Sequence, residues 1–132
     1  MTTPEKHLQR IKEHLEEIND AIDEGMEKKP ITIGFHCSAC SIDLVELYLH
    51  TLGRITGGTV VKHDWFKAPQ PGQKSTPLAE RKLGVLFPHK EKILLLLYTI
   101  EEHRNKLIYG KPSTSTAEIV LHAFQELHSV IK

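Results

Sequence analysis

Apolar residues recur at three- and four-residue spacings over most of the chain, and this period divides it into helices. In the first segment Leu8, Ile11, Leu15, Ile18, Ile22 and Met26 form an apolar stripe with charges between them. Thr3, Pro4 and Glu5 supply an N-cap, a first-turn proline and an acid suited to the helix dipole. Lys28-Lys29-Pro30 marks the expected end of this helix. The second segment, from about Ile33 to Leu52, is apolar around much of its circumference and stops at Gly53. A helix of that kind belongs at the centre of a bundle or in an interface.

Residues 54–76 break the period. Gly57-Gly58, Pro69, Pro71-Gly72 and Ser75-Thr76 predict a long loop, with Thr59-Val60-Val61 as a fragment of strand. Trp65-Phe66 reads as an anchor packing the loop on the helices, or as a base-stacking spot. Pro77 to Leu83 predicts a short helix. Pro88 opens a long one that runs to Tyr109 and stops at Gly110 and Pro112. Ser115-Thr116-Ala117-Glu118 reads as the capping box of a last helix that buries Val120, Phe124, Leu127 and Ile131. The predicted fold is all-α: an antiparallel four-helix bundle, one domain over residues 1–132. The long loop and the short extra helix lie between the second and third core helices.

Composition narrows the function classes. The chain has 132 residues, 17 Lys plus Arg against 17 Asp plus Glu, and 39% apolar residues, which excludes a strongly basic nucleic-acid module and a disordered acidic tail. Cys37 and Cys40 are the only cysteines and make no disulfide framework. The N-terminus has no signal-peptide core, and the longest apolar run, Ile93 to Leu97, is too short for a membrane span. These features predict a cytoplasmic protein with no membrane association. The zero net charge is a sum of unlike parts: residues 1–53 carry 5 basic and 10 acidic side chains, residues 54–92 carry 8 and 3, and residues 93–132 carry 4 and 4. The basic stretch, which includes Lys62, Lys67 and Arg81, is either a solvated surface or a lid that contacts an anion such as phosphate.

The most informative local pattern is Glu101 to Tyr109. On a helical projection Arg104 falls within roughly 30–40° of the centre of the apolar stripe formed by Ile93, Leu96, Leu97, Ile100, Leu107 and Ile108. A guanidinium so placed needs an acid partner, an interface or an open cleft, and Glu101 is within reach one turn away. On the second helix His36, Cys40, Asp43 and His50 share one polar stripe, spread over roughly 80°. It lines a cleft, a subunit contact or solvent, and in a bundle it can face the Arg104 helix, where His36 or His50 would serve as a base. His36, Cys37 and Cys40 also offer zinc ligands, but one CxxC without a second pair points rather to two small buried side chains at a helix crossing. No cofactor or metal is predicted, and no phosphate-binding glycine loop is present in the sequence.

Glu101, Arg104, Asn105 and a ring side chain at Tyr109, near the end of a long helix, resemble the motif of the HEPN superfamily (higher eukaryotes and prokaryotes nucleotide-binding domains). The apolar second helix is similar as well. In that family an arginine, often followed by asparagine and preceded by an acid, is separated by four to six residues from a histidine; here Tyr109 stands at the histidine position. The resemblance implies a small four-helix bundle that forms a homodimer, binds RNA or a nucleotide, and acts in some members as a metal-independent ribonuclease of a toxin–antitoxin or defence system. It implies a nucleotidyltransferase-like antitoxin as partner. Arg104 would bind phosphate, Asn105 and Glu101 would orient it, and Tyr109 would donate a hydrogen bond. A phenol with an ordinary pKa near 10 is a poor base at neutral pH. The alternative is therefore a non-catalytic dimeric interaction module that has lost the histidine.

Overall fold

The computed structural model describes residues 3–56, 58–67, 72 and 77–131. They form five α-helices: α1 (Pro4–Glu24), α2 (Pro30–Thr51), α3 (Leu78–Lys82), α4 (Lys90–Tyr109) and α5 (Thr114–Ile131). A single 3-10 turn, His63–Trp65, lies between α2 and α3. Among the described residues there is no strand, so Thr59-Val60-Val61 is irregular chain. Residues 57, 68–71 and 73–76 of the predicted loop lie outside the described residues. No helix among the described residues is long and apolar enough to cross a membrane.

The helix ends show which local signals prevailed. Thr3 caps α1 as predicted, its Oγ1 accepting from the Lys6 N–H at 3.2 Å. The exit differs from the prediction. Gly25, at φ 113°, takes a conformation few other residues adopt, and its N–H donates to the Ala21 and Ile22 carbonyls. Lys28 and Lys29 then lie in the turn, and Pro30 opens α2 rather than closing α1, because a proline has no N–H to lose at a helix start. At α5 the cap is Ser113, whose Oγ accepts from the Thr116 N–H at 3.2 Å, so the box predicted at Ser115–Glu118 lies inside the helix.

Side-chain pairs fix the helix directions. His7 meets Asp43, the Ile11 carbonyl meets the Cys40 thiol, and His14 meets His36, so α1 and α2 run antiparallel. Gly34 sits against Leu107, and the Tyr48 hydroxyl donates to the Pro88 carbonyl just before α4, so α2 and α4 are antiparallel as well. Lys92 pairs with Glu126 at 3.0 Å, which turns α5 back along α4. The result is a helical bundle with α2 at its centre, packed on α1, α4 and α5. The apolar circumference of α2 is therefore largely consumed within the chain; Ile31 and Phe35 are its large apolar side chains left exposed, beside Leu52 at its C-cap.

The core of α2, α4 and α5 is closely packed. Ile33, Leu49, Ile93, Ile100, Leu107 and Leu127 are all essentially inaccessible. At Gly34 an added Cβ would lie 2.9 Å from Leu107 Cδ1, so this crossing depends on the absence of a side chain. Phe66 is buried against this core and Trp65 is half-buried, which places the pair as an anchor of the segment after α2. The α1 stripe departs from prediction: Ile11 and Ile18 are buried, but Leu8 and Ile22 are exposed and Met26 lies beyond the helix. His7 is buried in place of Leu8.

Candidate functional site: a cavity between the α1–α2 seam and Arg104

A cavity of about 450 Å³ opens where α1, α2, the segment 60–64 and α4 converge. Its chemically active walls are His7, Asp43, Glu46, His63 and Arg104, with Arg10, Lys62 and Asp64 also lining it. Helical periodicity brings them together. Arg104 stands one turn from Ile100 and Leu107 on the buried face of α4, and Asp43 and Glu46 are one turn apart on α2.

Arg104 is the only basic side chain among these that is buried and permanently charged, with 8% of its surface accessible. Its Nη1 donates to Asn105 Oδ1 at 3.0 Å, and its Cζ lies 6.0 Å from the centre of the Tyr109 ring. Among the described residues no carboxylate lies within ion-pair distance of it. The anticipated Glu101–Arg104 pair is not formed. Glu101 instead accepts from His63 Nδ1 at 2.8 Å, tying the segment after α2 to α4. Tyr109 is 78% exposed and does not line the cavity. Lys67 and Arg81 are exposed and do not line it either.

The polar stripe of α2 faces α1, and of its members Asp43 also lines the cavity with Arg104, whereas His36, Cys40 and His50 do not. His36 Nδ1 is 2.8 Å from His14 Nδ1, so one ring donates to the other and both are favoured as neutral. Burial lowers the pKa of both histidines, and at His14 the neighbouring His36 lowers it further. Asp43 accepts from His7 Nδ1 at 2.8 Å and lies 3.9 Å from both Arg10 and His14. His50 reaches the same end of the seam, its ring centre 6.3 Å from that of His7.

Cys37 and Cys40 are free and buried. Burial and the adjacent Asp43 charge push the Cys40 thiol up to about 12, and burial raises Cys37 as well. Neither is a ready thiolate, which agrees with small side chains filling a crossing. His36 meets His14 rather than forming a shared cluster with the two thiols.

Four residues of this region carry chemistry that the periodicity did not point to: His7, His14, Glu46 and His63. A signal did exist for the first two. His7, Ile11, His14 and Ile18 have core spacing, one residue round from the stripe that starts at Leu8. Glu46 is visible only from its tertiary contacts, Oε1 accepting from the Val61 N–H at 2.6 Å and Oε2 lying against His7.

No protein-family model, curated protein or solved structure matches this chain.

Proposed function

We propose that the cavity binds a phosphate group of RNA or of a nucleotide through Arg104, in a HEPN-like antiparallel four-helix bundle that works as a homodimer in the cytoplasm. The observation that carries this reading is the state of Arg104: buried in a cavity wall with no carboxylate within ion-pair reach among the described residues, and steadied by Asn105. A buried guanidinium without an anion is costly, and a phosphate is the ligand its planar fork suits best. Lys62 and Arg10 add positive charge to the lining; of the carboxylates there, Asp43 accepts from His7 and Glu46 accepts from the Val61 N–H, and Asp64 is exposed. In this reading Glu101 acts through His63, holding it at the cavity wall, and Tyr109 stacks near the guanidinium without reaching the cavity. The homodimer, and a nucleotidyltransferase-like antitoxin as partner, rest on the motif resemblance.

Fluorescence-polarisation titration with a labelled single-stranded RNA, and competition by ATP, tests the reading. Wild-type protein binds, Arg104→Ala weakens binding by tenfold or more, about 1.4 kcal/mol, and Arg104→Lys loses less. Equal binding by the wild type and a folded Arg104→Ala variant would overturn it. The exposure of Tyr109 outside the cavity favours the non-catalytic module as the second reading over a ribonuclease. If cleavage does occur, His63 is the base the geometry offers, because its imidazole lines the cavity together with Arg104. A His63→Gln variant that cleaves RNA like the wild type would exclude it.

A further inference from the structure

His7, Glu46 and His50 each offer one ligand atom, and the three atoms lie within 4.8 Å of one another at the α1–α2 seam. We infer that these three residues bind a divalent transition-metal ion of the zinc type, with His7 and Glu46 exposing it to the same cavity that Arg104 lines.

The argument starts with the His7 ring. Its Nδ1 lies 2.8 Å from Asp43 Oδ1, a contact in which the nitrogen must donate because the carboxylate only accepts. In the neutral ring the lone pair is then on Nε2. That nitrogen is 2.5 Å from Glu46 Oε2, yet it makes no hydrogen bond of acceptable geometry. A ring lone pair held against a carboxylate oxygen in a buried place is repulsive unless a cation stands by them. His50 Nε2 is a second buried ring nitrogen with no hydrogen-bond partner among the described residues. Two orphaned imidazole nitrogens and a carboxylate oxygen at one point are what a metal would satisfy at once.

The surroundings are those of a held ligand set. Asp43 fixes the tautomer and the plane of His7, the role a carboxylate commonly plays behind a metal-bound histidine. The Val61 N–H occupies Glu46 Oε1 at 2.6 Å and leaves Oε2 turned to His7. His7 and Glu46 have 2% and 3% of their surface accessible, so a lone pair left unmatched between them is costly. Two imidazoles and one carboxylate favour zinc, cobalt or nickel over magnesium or calcium, which prefer all-oxygen shells. Tetrahedral ligands about 2.0 Å from zinc stand about 3.3 Å apart, so binding would part His7 from Glu46 and draw in His50. Three protein ligands leave a fourth position, and two of the three line the cavity. The site would thus present an electrophilic ion and the Arg104 guanidinium to one bound anion.

The test uses the full chain without a histidine tag, stripped with a chelator and titrated with Co²⁺ and then Zn²⁺. One equivalent of Co²⁺ should give the intense visible bands of a four-coordinate site, and Zn²⁺ should erase them. His50→Gln, at a half-buried position, should weaken metal binding by a hundredfold or more. Asp43→Asn, which removes the carboxylate behind His7 and leaves the three ligands in place, should weaken it by about 10–100-fold. His36→Asn, on the other histidine pair of the seam, should bind like the wild type. The inference is overturned if wild-type protein takes up less than about a tenth of an equivalent, if His50→Gln binds as the wild type does, or if His36→Asn abolishes binding. In the first of these outcomes a proton on His7 serves in place of the ion. Arg104→Ala should keep full metal binding, so loss of RNA binding in that variant and loss of metal in His50→Gln fail independently.

Discussion

The two faces of α2 are built on opposite principles. Toward α4 it presents Gly34 to Leu107, with the buried Val45 and Leu49 on the same side, a contact held together by shape and the removal of carbon surface from water. Toward α1 it presents His36, Cys40, Asp43, Glu46 and His50, held together by directed pairs. An apolar face tolerates any neighbour of the right volume, whereas a seam of titratable groups demands specific partners and responds to pH and to ions. One helix can therefore serve as the stable centre of the fold and as the wall of a responsive site.

The largest way to break this contrast is in the core. Leu127→Ala empties a fully buried position and should cost about 2–5 kcal/mol, read as a lower urea midpoint, with the same loss at pH 8 and pH 5.5. A loss that changed with pH would mean that core and seam are not separate. Gly34→Ala forces a methyl group against Leu107 and should cost about 1–3 kcal/mol, again independent of pH. An unchanged melting temperature would show that α2 and α4 can slide apart there.

The smallest effect sharpens the comparison most. The folded-state pKa values of His14 and His36 lie below the ordinary value of 6.5, through burial and, at His14, through His36. Asp43, Glu13 and Glu17 oppose the shift, and Arg10 adds to it at His14. Between the folded and unfolded values the unfolded chain binds more protons, so stability rises with pH. The contribution is complete above about pH 6.5 and is lost as pH falls through the lowered folded values. Melting curves from pH 8 to pH 5 should show this decline, and His36→Asn should flatten it. A His36→Asn protein with the same slope would assign the pH response to other groups.

The all-helical class, the central place of the second helix and the burial of Arg104 were legible in the sequence. Each depends on a 3.6-residue period that a single chain carries within itself. Helix ends were less legible, because Pro30 and the serines at 113 and 115 fit more than one cap position, and the packed turn selects among them. The seam was not legible. His7 looks polar in isolation and becomes a core residue only when Asp43 and Glu46 arrive from a helix more than thirty residues away. In the same way Glu101 stands one turn from Arg104 but bonds His63, because the segment after α2 folds over α4. The sequence alone determined which residues share a helix face, since local geometry sets that. Only the tertiary structure decided which faces meet, and so which charges are paired, which nitrogens are left without partners and where an anion or a metal ion would be held. Electrostatic partnership acts over a few ångströms in space and is blind to distance along the chain.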